Sequence, residues 1–164
     1  MSSNSADLSI ERALLRHTLA TVAYRGSKAL RGAPESFAQH GSGSGGRTPA
    51  QILAHLGDLY DWALSLVAGK QVWKDSQPLP WGKEIERFFA AIKKFDEYLA
   101  SNAELHENPG ALFQGPIADS LTHIGQIAML RRMAGCKIKG ENYHKAEIIL
   151  GRVGIDQAEP RREF

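Results

Sequence analysis

Two histidines and one aspartate carry the chemistry that this sequence offers: His55, Asp119 and His123. Asp119 and His123 stand four residues apart in GPIADSLTHIGQIAMLRRMAG. On a helix, residues at i and i+4 share a face with Cβ atoms roughly 5–6 Å apart, so both side chains reach one ion. His55 lies in RTPAQILAHLGDLYDWALSLVAG, a second helical pattern that also starts at a proline. Two imidazoles and a carboxylate, with open positions beside them, are a minimal set for a divalent metal that does chemistry. Each residue also has a plainer reading. A single histidine on an apolar helix face is commonly a hydrogen-bonded core residue. A carboxylate in the first turn of a helix is favoured by the helix dipole without any ion. The D-x3-H spacing is a weak motif by itself. Gln126, three residues past His123, is a candidate to orient a ligand imidazole. His17, on the side of the first helix read as apolar, is a candidate to face the same cavity. Asp58, one turn after His55, reads as a solvated helix residue. His40, His106 and His144 receive no role.

Four helical patterns position these residues. The first covers about residues 8–30, capped by Asp7 or Ser9, with Ile10, Leu14, His17, Thr18, Thr21 and Val22 on one face and Gly32 and Pro34 as its stop. GAPESFAQHGSGSGGRT follows, a Gly/Ser-rich loop expected to be flexible over about 38–48. No GKS or GKT follows it, so it is no phosphate loop. The second helix has Thr48 as cap, Pro49 at its first position and Gly69 as its stop. Ile52, His55, Leu56, Leu59, Trp62 and Leu66 share one side. KQVWKDSQPLPWG then reads as an ordered crossover packed on the body. The third helix spans about 83–100, with an apolar stripe from Ile85 through Phe88, Phe89, Ile92 and Phe95 to Leu99. The fourth begins at Gly115-Pro116 and stops at Gly135. The tail holds a short helix around 144–150 and a weak strand signal at 136–138. The fold class is therefore all-α, a four-helix bundle, in a single domain over residues 1–164. At ~1.5 Å per residue, His55 lies roughly 9 Å into its helix and the Asp119/His123 pair roughly 4–10 Å into its own. In an up-down-up-down bundle the second and fourth helices run parallel, which brings all three residues to one depth.

Composition narrows the function classes. Net charge is +2, from 20 Lys+Arg against 18 Asp+Glu, so nothing implies a nucleic-acid or membrane partner. Hydrophobic residues are 43% and charged residues 23%, as in a globular domain. The one cysteine, Cys136, forms no intramolecular disulfide and no cysteine metal cluster. With no signal-peptide core in MSSNSADLSIERALLRHTLA and no apolar run of ~18 residues, a cytoplasmic location is expected.

The segments TPAQILAHLGDLYDWAL and DSLTHIGQIAMLRRMAG resemble the DinB-like (YfiT-like) superfamily of metalloenzymes. The resemblance implies a bundle with a long crossover between helices two and three. It implies a divalent metal, Ni, Zn, Fe or Mn, held by one histidine early in helix two and an i, i+4 pair in helix four. His55 and His123 match the outer positions of that set. The middle position is usually histidine, and Asp119 departs from it. A carboxylate there lowers the charge of the site by one and shifts preference toward harder metals, or marks a site that no longer binds metal. Similar proteins include thiol S-transferases using a low-molecular-weight thiol, and hydrolases. A non-catalytic small-molecule-binding or stress-response bundle is the alternative from another class. The sequence leaves monomer and homodimer both open.

Overall fold

The computed structural model describes residues 5–43 and 45–164, with the backbone alone for 5–8. Four long helical segments form the body: α1 (Ser5–Leu30), α2 (Pro49–Val67), α3 (Trp81–Ala100), and a rod built of α4 (Pro109–Leu112), a π turn (Phe113–Ile117) and α5 (Ala118–Met133). No described helix is long and apolar enough to cross a membrane.

Local chemistry explains the ends of α2. The Thr48 hydroxyl accepts from the Gln51 amide and the Gln51 side chain accepts from the Thr48 amide, a reciprocal capping box ahead of Pro49. At the other end Gly69, at φ +74°, donates to the Leu66 carbonyl while Lys70 donates to Ser65. That pair of bonds requires a left-handed residue, which glycine supplies without a Cβ clash. Gly135 ends α5 in the same way, with bonds to Arg132 and from Cys136 to Arg131.

The topology differs from an up-down-up-down bundle. Arg87, early in α3, donates to the Ala54 carbonyl early in α2, and the Tyr98 hydroxyl, late in α3, donates to Val67 at the end of α2. These two helices therefore run parallel, joined by the long connection 68–80. α1 opposes α3, since Arg12 donates to the Leu99 carbonyl and Gly26 lies against Phe88. α5 opposes α2: the order Ile52, His55, Tyr60, Trp62 meets Leu130, His123, Ser120, Gly115. The expected parallel pairing of the second and fourth helices is thus wrong. His55 stands six residues from the start of α2 at Pro49, and His123 ten residues before the end of α5 at Met133, so antiparallel packing still brings them level.

The core is filled by Tyr60, Phe88, Phe95, Leu53, Leu56, Ile92 and Leu19, all fully buried. On α1 the buried face is Leu15, Leu19, Val22 and Ala23. Ile10 and Leu14, expected inside, are 68% and 64% exposed, and His17 is exposed beside them. The helix starts at Ser5, so neither Asp7 nor Ser9 caps it; the side chain of Asp7 lies outside the described residues. Part of the loop expected to be flexible is ordered as a 3-10 turn, Glu35–Gln39, which buries Phe37 and Ala38; Ser44 lies outside the described residues. In the tail a 3-10 turn, Tyr143–Lys145, replaces the expected helix, and a single bridge between Glu141 and Glu163 replaces the strand.

Asp58, expected in solvent, is 3% exposed. It accepts from the Ser76 amide at 2.8 Å and hydroxyl at 2.7 Å, and pairs with Arg87. Arg87 also pairs with Glu84 at 3.1 Å, and Glu84 accepts from the Leu79 amide at 2.7 Å. One charged cluster thus ties α2, α3 and the crossover together. Removing one partner of a buried pair leaves a charge without compensation. Arg87→Leu is expected to lower unfolding free energy by about 3 kcal/mol, read as a shifted urea midpoint at unchanged slope. His17→Ala, on an exposed face, is expected to change it by less than about 0.5 kcal/mol.

Candidate metal centre

Asp119 owes nothing to a helix start. Gly115 and Pro116 do not open the rod: Asn108 caps it, its Oδ1 accepting from Gly110 at 2.8 Å and Ala111 at 3.2 Å, with Pro109 next. Pro116 lies inside the π turn, where the Ala118 amide reaches back to Phe113. Proline lacks the N–H that an α-ladder uses, and a widened turn takes its ring without breaking the rod. Asp119 therefore stands ten residues past Pro109, while the dipole effect fades within one turn. Next to it Ser120, fully buried, bonds the Tyr60 hydroxyl and locks α5 against α2.

The three expected residues come together. Asp119 Oδ2 lies 3.3 Å from His55 Nε2, and its Oδ1 lies 3.5 Å from His123 Nε2. The two imidazole centroids are 4.8 Å apart at 83°. One ligand atom from each residue falls within 4.8 Å of the others. Bonds of roughly 2.0–2.2 Å to a common ion separate neighbouring donors by roughly 3–3.5 Å, so small side-chain rotations suffice. The donor set fits a divalent cation. His123 Nδ1 donates to Gln126 Oε1 at 2.8 Å, which leaves Nε2 with its lone pair toward Asp119. Gln126 thus bonds a site imidazole, whereas His17 is exposed on α1.

Burial lowers the proton affinity of His55 below its ordinary 6.5. The hydrogen bond to the Asp119 carboxylate opposes this, while the neighbouring His123 and the Arg47 guanidinium add to it. His55 is thus neutral at pH 7, the state in which imidazole binds metal. Its ring meets the Trp73 indole at 5.7 Å, and Trp73 meets Trp62 at 5.9 Å.

Two hollows flank the pair. One, of about 340 Å³, is polar and is lined by His55 with Arg47, Gln51, Asp75, Ser76 and Gln77. The other, of about 630 Å³, is apolar and runs from His123 along Ile52, Met129, Leu130 and Met133. Sequence reasoning missed Trp73, Arg47 and the Asp58–Arg87 cluster at this site. The aromatic crossover and the one-turn spacing of His55 and Asp58 were the available signals. Cys136 lies outside the cluster, its carbonyl held by Arg131. Tyr143 packs on Tyr24 and under Arg25, also outside it. Searches against family models, curated proteins and solved structures returned no match.

Zinc titration of the purified chain is expected to lose stoichiometric binding in His55→Ala, Asp119→Ala and His123→Ala. Gln126→Ala is expected to weaken affinity about 10–100-fold while the fold persists. The lowered proton affinity of His55 also has a sign. Its contribution to folding is complete above pH 6.5 and is lost as pH falls through the lower folded value. The urea midpoint of metal-free His55→Gln is therefore expected to drop less than that of the parent chain between about pH 7.5 and about pH 5.

Proposed function

We propose that this chain is a divalent-metal-dependent enzyme acting on a small molecule, of the DinB-like kind that its second and fourth helices resemble. One observation carries the proposal. His55 and the Asp119/His123 pair, from separate helices, present donor atoms within 4.8 Å of one another beside two hollows. Asp58 and Glu84 accept from crossover amides, whereas the bonds of His55, Asp119 and His123 run only to other side chains, so the fold does not account for their convergence.

The chemistry that fits best is transfer of a low-molecular-weight thiol to an electrophile, with hydrolysis as the second reading. A bound divalent cation supplies a Lewis acid that lowers the pKa of a thiol or of water. His55 and His123 offer neutral nitrogen to it and Asp119 a negative charge, which leaves a singly positive centre. Gln126 fixes the tautomer of His123. The Trp73 indole packs against the His55 ring. The apolar hollow beside His123 suits an electrophile with a hydrocarbon body, which favours transfer. The polar hollow beside His55 favours hydrolysis, since its amides and carboxylates hold water readily.

Elemental analysis of the untagged chain is the first test. About one equivalent of Ni, Zn, Fe or Mn is expected, and loss of it in His55→Ala and Asp119→Ala. Metal-dependent consumption of cysteine or glutathione with 1-chloro-2,4-dinitrobenzene is expected from a transferase. Ester hydrolysis that persists in thiol-free buffer selects the hydrolase reading instead. A folded chain that takes up no metal after reconstitution overturns both, and leaves a non-catalytic binding bundle.

A further inference from the structure

Arg47 stands where the two hollows meet. It lines the polar hollow with His55 and the apolar one with His123 and Met129. Its side chain is exposed, and among the described residues no carboxylate lies within ion-pair distance of it. The other cations near the centre are used: Arg87 is tied to Asp58, Asp61 and Glu84. The apolar hollow leads away from Arg47 past Ile52 and Leu130 to Met129 and Met133, which are 60% and 54% exposed. Methionine is flexible and polarizable and adapts to varied apolar ligands. An open cation at the head of an apolar channel matches one ligand shape: an anionic group followed by a hydrocarbon body.

We infer that Arg47 and the Ile52–Met129–Met133 channel form a binding site for a small amphipathic carboxylate, head at Arg47 and tail along α5. The inference deepens the enzyme reading, since it names the class of molecule brought to His55, Asp119 and His123. Arg47 sits just ahead of the Thr48 cap, so the capping box fixes where its backbone leaves the helix. A guanidinium binds a carboxylate through two parallel N–H donors, which a neutral head cannot match.

The test uses octanoate, 1-octanol and acetate with chelator-treated protein labelled at the methionine methyl carbons. The chain has three methionines, and two of them line the channel. Octanoate is expected to shift the Met129 and Met133 signals and to bind about tenfold more tightly than 1-octanol, with acetate moving neither signal. Arg47→Gln is expected to bring octanoate down to the affinity of 1-octanol, and Arg47→Lys to restore part of the difference. Met133→Glu is expected to weaken octanoate and leave the fold intact, since its side chain is exposed. Equal binding of octanoate and 1-octanol, octanoate binding unchanged in Arg47→Gln, or no shift at either methionine overturns the inference. The protein is metal-free throughout, so a chain that holds no metal can still pass and a chain that holds metal can still fail.

Discussion

The pairing of Asp58 with Arg87 is the interaction on which the rest of this bundle depends. Two neighbouring helices can run parallel only if the chain crosses the whole length of the body between them. That crossing, 68–80, carries no helix, so its amide groups need partners from the body. Asp58 takes the Ser76 amide and hydroxyl, Glu84 takes the Leu79 amide, and Arg87 neutralises both carboxylates. Gly57 leaves room for this: a Cβ there would stand 3.0 Å from the Arg87 guanidinium carbon. The cluster sits one turn from His55, so the crossover that brings Trp73 onto His55 is anchored to the same stretch of α2.

The centre itself is arranged around one carboxylate. Each oxygen of Asp119 faces a different imidazole, one from α2 and one from its own helix. Asp119 is the most exposed of the three, at 44%, while His55 and His123 are 17% and 13% exposed. The carboxylate therefore stands toward solvent and the rings stand toward the core, which limits the cost of burying a charged group. A histidine at position 119 would offer one nitrogen in place of two oxygens and would not span both rings.

Much of the frame was legible in the residues. The Thr48-Pro49 start and the Gly69 and Gly135 stops act through strictly local backbone bonds, so they carry their own geometry. The i, i+4 spacing of Asp119 and His123 was local too. Other features were not. In α1 apolar residues stand side by side, as at Leu14-Leu15 and Val22-Ala23, and periodicity alone cannot choose between the two faces. Asn108-Pro109 and Gly115-Pro116 both look like helix starts, and only tertiary packing tells which proline lies inside the rod. Helix direction depends on how a long connection crosses the body, which no local rule contains. The three site residues meet for a different reason than equal depth on parallel helices. Asp58 reads as a surface residue because its partner is 29 positions away.

The π turn holds one residue more than an α-helix of the same rise requires. It is a reserve of chain length placed just ahead of the centre. Loss of Pro116 itself can be taken up there by reverting to ordinary helix, with Asp119 and His123 still facing α2. Loss of one residue between Asp119 and His123 would swing one donor about 100° from the other. Single-residue deletions in descendants of this chain are therefore channelled: absorbed where Pro116 is lost, and disruptive between Asp119 and His123.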